Sequence, residues 1–305
     1  MTDGVELVAG FLAAAVRIST PLLLAALGET IAERSGVINL GIEGSMLAGA
    51  LAAAIGSSMG GPASGLIAAV AAGALLAALF AAVTVHAGAD QIIAGTAITL
   101  GAVGLTGASY RGYYGSGGAG LSIPTLAPVE VPLLGDIPVL GAALFAQPVT
   151  TYAAAALVPM LWWLLFRTRP GLALRAAGES AEGARAAGVR VHAVRTAAVV
   201  AGGALAGLAG ATLVLAQVGT FSERMTAGRG FIAIAIVVLG RWHPAGVLAA
   251  ALFFGAATAL QFVFQAAGLG IPYQLFLMLP YVLALLGLAG AVGRVRAPRD
   301  LGRRG

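Results

Sequence analysis

Long apolar runs separated by short polar interruptions dominate this chain. They fall near residues 5–27, 37–59, 62–85, 91–109, 149–166, 195–216, 230–242, 244–268 and 272–293. All but one come close to the roughly 20 residues a helix needs to cross the hydrocarbon core of a bilayer. None alternates with the period of two that a barrel strand requires. Lipid satisfies no backbone polar group, so the runs predict helices. The expected fold is all-α: a polytopic transmembrane bundle of about 8–10 membrane segments, forming a single transmembrane domain over residues 1–305. Segment 230–242 is short for a span and predicts a tilted or broken crossing.

The interruptions orient the bundle. Residues 110–148 are rich in Pro, Gly and Tyr and predict an irregular cap at one membrane face. Six arginines fall within 167–195 and five within 294–304. Basic clusters of this kind mark the cytoplasmic side, and the four segments between 195 and 293 supply the even number of crossings that this needs. The 110–148 loop then faces outward, and counting back through four spans places the N-terminus outside as well. The opening residues lack the basic region of a signal peptide and read as part of the first membrane helix.

Composition narrows the function. The chain is 59% hydrophobic and 10% charged, against roughly 25% charged residues in a soluble domain. It has no cysteine, so disulfides and thiolate metal sites are excluded. All 17 basic residues are arginine. Without lysine there is no Walker A phosphate loop and no Schiff-base chemistry. No cofactor is expected in this chain, and any ATP with its Mg²⁺ would be bound by another subunit. The net charge of +5 reports membrane orientation, not nucleic-acid affinity. His86, His192 and His243 lack ligand spacing, so no metal site is expected. No Gly-x-Ser-x-Gly elbow, paired aspartates or HExxH signature marks an intramembrane enzyme, and no catalytic residue is assigned.

Intramembrane polar residues are the candidate chemistry, because each is costly to insert and normally faces a cavity or a partner. The stretch AERSGVINLGIEGSMLAGA (32–50) is the densest. On a helix, Asn39 and Glu43 would share a face at i,i+4 and could meet the hydroxyls or base N–H groups of a solute. The alternatives are that Asn39 caps a helix break and Glu43 pairs with an arginine of a neighbouring helix. Glu33 and Arg34 read as structural. Gln91, Thr96 and Thr99 are further pathway candidates, with Asp90 as a helix-start residue. Glu223, Arg224, Arg229 and Arg241 read as ion pairs at helix ends. Gly41, Ser45 and Gly49 recur every fourth residue, as do Gly203 and Gly207, and such faces let helices approach closely. On the basic side, Pro170 and Gly171 interrupt a helix, and Ser180 predicts an N-cap with Glu182 in the first turn. Arg185 then lies near the end of a two-turn helix, with Gly188 as its stop. That helix is either a solvated loop or a lever receiving work from a cytoplasmic partner.

Four blocks, ERSGVINLGIEGSMLAGA, DQIIAGTAITLGAVGLT, GLALRAAGESAEGARAAGVRV and GRGFIAIAIVVLGRWHPAG, resemble the membrane subunit of bacterial ABC importers of the nucleoside and simple-sugar branch. The likeness covers about residues 18–293. It implies a type II-like importer permease, akin to ribose and branched-chain amino-acid permeases, in the bacterial plasma membrane. It also implies two ATP-binding cassette subunits, a second homologous permease subunit in a heterodimer and an extracytoplasmic substrate-binding lipoprotein. Gly178, Glu179, Ser180, Glu182, Arg185 and Gly188 would form the coupling loop that seats in the ATPase. Thr99 and His243 stand where this family pattern leads one to expect asparagine. The solute implied is a nucleoside, with a simple sugar or an ion-coupled secondary transporter as alternatives.

Overall fold

The computed structural model describes residues 2–115, 123–132, 134, 135, 137, 139–266, 278, 282, 285 and 297–303. The apolar run at 272–293, apart from its three positions just named, lies outside the described residues, as do Arg294, Arg296 and Arg304.

Described helices follow the apolar runs. They are α1 (Thr2–Arg34), α2 (Ile42–Gly60), α3 (Pro62–Ala81, extended by a π-helical turn over Ala82–His86), α4 (Gln91–Tyr114) and α5 (Val149–Arg167). The shorter α6 (Arg169–Glu179) and α7 (Ala181–Ala186) precede α8 (Val191–Thr212, with a π-helical turn over Leu213–Val218), α9 (Arg229–Leu239) and α10 (Pro244–Ala266). A small antiparallel pair, β1 (Pro128–Glu130) and β2 (Ala146–Pro148), closes the 110–148 loop. Among the described residues seven helical stretches are long and apolar enough to cross a membrane, and the chain is a multi-pass helical membrane protein.

Two boundaries differ from the apolar runs for local reasons. Helix α1 continues through Glu29 and Glu33 to Arg34 and stops where Gly36 takes a left-handed φ of 95°. Helix α2 begins only at Ile42, leaving an irregular connection over residues 35–41.

Helix α8 is the axis of the described bundle, packed by α1, α2 and α3 through backbone contacts that only glycine permits. A Cβ on Gly49 would sit 2.5 Å from Gly207 Cα, and one on Gly28 would sit 2.6 Å from the Gly202 carbonyl oxygen. Gly203 packs in the same way against Gly73 and Ala77. Lipid offers no hydrophobic drive for helices to associate, so close backbone approach supplies the attraction instead. Ser45 is buried in the bundle, and Gly41 lies just before α2, where a Cβ would meet Asn39 Oδ1 at 3.0 Å.

Contacts sort the turns to two ends. The Gln91 side chain accepts from Ile38 N, and His192 bonds the Val85 carbonyl. The backbone of Asp300 donates to Gly178 O and that of Gly302 to Gly36 O. Residues 35–41, 86–91, 167–195 and 297–303 therefore share the arginine-rich end. At the opposite end Ser57 donates to Pro124 O, Leu126 N to Leu215 O, and Arg111 pairs with Glu223 at 2.6 Å. Segment 230–242 sits in a broken crossing. After Gly219, residues 219–228 run irregularly back into the bundle, and α9 completes the passage as a half-helix.

Candidate functional site

The polar stretch at 32–50 converges on α9. Glu43, in the first turn of α2, directs its carboxylate at the start of that half-helix. Oε1 accepts from Thr226 Oγ1 at 2.7 Å and from Gly228 N at 2.8 Å, and Oε2 accepts from Gly230 N at 2.6 Å. The first amides of a helix have no partner within it and carry the positive end of its dipole. A carboxylate there answers both needs, at a depth where water would otherwise have to enter. Its partners are a hydroxyl and two amides, not an arginine. Gly230 admits the contact, since a Cβ there would sit 2.6 Å from Glu43 Cα.

The other end of α9 is held by the last turn of α1. The buried Glu33 carboxylate accepts from the Trp242 indole N–H, and Arg34 Nε donates to Trp242 O at 2.9 Å. The cation thus lies at the negative end of the α9 dipole. Arg241 and Trp242 both adopt left-handed backbone, with φ of 58° and 53°. Such non-glycine conformations cost about 1–3 kcal/mol each, and here side-chain bonds from α1 hold the turn. His243 Nδ1 then accepts from Ala245 N at 3.3 Å, so histidine serves as the cap of α10.

The remaining pathway candidates fasten the 35–41 connection. Glu29 Oε1 accepts from Asn39 N at 2.8 Å, Asn39 Oδ1 from Gly41 N at 3.0 Å, and Thr99 Oγ1 donates to Leu40 O at 3.1 Å. Asn39 therefore precedes α2 and does not share a helical face with Glu43. Asn39 Nδ2 and Glu29 Oε2 are buried without a partner among the described residues. Thr96 is exposed on α4, its hydroxyl bonded to Ile92 O, while Glu43, Gln91 and Thr99 keep 6–8% of their surface. Asp90 caps α4, accepting from Ile92 N and Ile93 N.

At the arginine-rich end, Ser180 caps α7 by accepting from Gly183 N at 3.1 Å. Glu179, Glu182, Arg185 and Gly188 are exposed, Gly188 with a φ of 82°, and Gly178 is buried against the backbone of Arg34 and Gly36. Asp300 Oδ2 accepts from Ala181 N at 2.7 Å, and Arg195 donates to Ser35 O and Ala177 O. These bonds tie the α6–α7 corner to the end of α1. Sequence reasoning missed Glu29, Thr226, Trp242 and Asp300. Glu29 did carry a signal, a carboxylate immediately after the 5–27 apolar run. The others act through contacts between segments far apart in the chain.

Residues 11–288 match the protein family described as branched-chain amino acid transport system / permease component. The chain belongs to this permease family. The permease is 37% identical to the guanosine ABC transporter permease protein NupQ of Bacillus subtilis (strain 168), over 98% of its own length and 97% of the relative's. It is 36% identical to the nucleoside ABC transporter permease protein NupC of Lactococcus lactis subsp. cremoris (strain MG1363), covering 92% of each chain. It is also 39% identical to the putative glucose ABC transporter permease protein TsgC13 of Haloferax volcanii, over 86% of its length and 80% of the relative's. No solved structure matches the permease.

Proposed function

We propose that this permease is the membrane subunit of an ATP-driven importer in the bacterial plasma membrane, and that its solute is an uncharged nucleoside. The observation that carries the choice of solute is Glu43. In transporters built on broken helices, the N-terminus of a half-helix is where an anionic solute group is met. Here the chain's own carboxylate fills that position on α9, which suits a solute without a carboxylate better than an amino acid. The likeness to a guanosine and a nucleoside permease over nearly the whole chain supports the same reading. A simple sugar is the second reading, favoured by the likeness to a putative glucose permease.

On this reading the arginine-rich end is cytoplasmic. The solute path runs along the α4 face bearing Thr96, beside the slightly exposed Gln91, Thr99 and Glu43, with Asn39 behind them. A second permease subunit completes the path, and an extracytoplasmic binding protein delivers the solute. ATP and Mg²⁺ are bound by cassette subunits that seat on α6–α7. The bonds from Asp300 and Arg195 make that corner rigid with α1, so force applied there reaches the Glu33–Trp242 contact.

Uptake of radiolabelled guanosine and ribose into vesicles bearing the assembled importer tests this. Guanosine uptake is expected to require ATP and to survive an uncoupler at constant ATP. Collapse on uncoupling would make the protein an ion-coupled transporter, and uptake of ribose alone would favour the sugar reading. Glu182→Arg, on the exposed face of α7, is expected to lower ATPase co-purification and uptake while leaving the amount of inserted protein unchanged. Unaltered co-purification and uptake would remove α7 from the ATPase contact.

A further inference from the structure

At the arginine-rich end of α5, three basic side chains gather around one ring. Arg175 Cζ lies 5.0 Å from the Phe166 centroid, Arg34 Cζ lies 5.7 Å from it, and the His243 ring stacks on it at 5.2 Å. Each guanidinium has spent only its Nε, Arg34 on Trp242 O and Arg175 on Leu165 O. Their terminal amino groups have no hydrogen-bond partner among the described residues. These bonds fix one nitrogen of each guanidinium. Two like charges close enough to act on each other are unfavourable without a counter-charge, and the carboxylate that acts on Arg34 is the exposed Glu179.

The setting is a membrane interface. Trp162 and Trp163, one turn back on α5, are 38% and 57% exposed, and Arg167 Cζ lies 5.5 Å over the Trp162 ring. Amphipathic aromatics and arginines at a helix end mark the headgroup level. Arginine matches phosphate with planar, paired donors, and basic pockets between membrane helices on this side take anionic headgroups.

We propose that Arg34 and Arg175, which both lie against the Phe166 ring, form a binding site for the headgroup of an anionic phospholipid. Because Arg34 also holds the turn after α9, the bound headgroup stabilises the same contact that fastens the half-helix. The proposal rests on the membrane class of the protein and is independent of which solute it carries.

All three tryptophans of the chain, Trp162, Trp163 and Trp242, lie around this cluster, so intrinsic fluorescence reports its occupancy. The purified full-length protein is reconstituted in phosphatidylcholine, with brominated phosphatidylglycerol or brominated phosphatidylcholine added as quencher. Brominated phosphatidylglycerol is expected to reach half-quenching at a mole fraction several-fold lower. Each arginine removed should reduce that preference by about fivefold, as far as none is left, in Arg175→Gln and in the Arg34→Gln/Arg175→Gln pair. Arg190→Gln, which removes an equal charge before α8, should leave it intact. Arg175→Gln alone decides the matter if the pair does not fold, because Arg175 lies on the surface helix α6. Equal quenching by the two lipids overturns the proposal, as does a preference that Arg175→Gln leaves undiminished. A preference seen in the isolated chain but lost in the assembled importer overturns it too, in favour of an acidic protein surface.

Discussion

Gly207→Leu is expected to leave no folded permease to purify. At Gly207 even a Cβ would fall within the contact distance of the Ala69 carbonyl, and a branched side chain must drive α3 away from α8. The same residue meets Gly49 of α2, so the insertion disrupts two helix contacts at once. Overpacking of this kind, with backbone as the obstacle, belongs among substitutions costing more than about 4 kcal/mol. Gly104→Leu is the control, because a Cβ there meets nothing within 4 Å, and it should insert and elute like the parent chain. Size-exclusion chromatography in detergent reads the difference. A monodisperse Gly207→Leu protein would show that the α3–α8 contact is not what holds the bundle.

The second large effect falls on Glu43. Replacing it with alanine leaves the Thr226 hydroxyl and the amides of Gly228 and Gly230 without acceptors, and each unpaired buried group costs about 1–3 kcal/mol. Glu43→Gln keeps one oxygen for Thr226 and Gly228 but turns an N–H₂ group toward the Gly230 amide, donor against donor. The expected order of thermal stability is parent, then glutamine, then alanine, with uptake falling in the same order. Stability unchanged in both variants would show that Glu43 is not what holds the start of α9.

Much of the fold was legible because membrane insertion is nearly a one-dimensional problem. Length and apolarity alone mark about 8–10 segments, of which seven are helices long enough to cross among the described residues, and the short run at 230–242 predicted a tilted or broken crossing. The Ser180 cap is also a local event, and local chemistry predicts it. Less of the candidate site was legible. Asn39 and Glu43 suggested a shared helical face, but Gly36 and the bonds around Asn39 delay α2 until Ile42. Nothing in the sequence places Asp300 at the start of α7 or Trp242 against Glu33, since those pairs lie 119 and 209 residues apart.

By itself, then, the sequence determined that this is a multi-pass helical membrane protein with an arginine-rich end and no lysine for a nucleotide site of the Walker type. The cause is physical: lipid requires long apolar helices, and charge sets their direction. Only the tertiary structure decided what the carboxylates of the 32–50 stretch hold. A buried charge goes to whatever donors the packing brings within about 3 Å. Here these are the amides and hydroxyl at one end of α9 and the indole at the other, assembled by glycine contacts among helices distant in the chain.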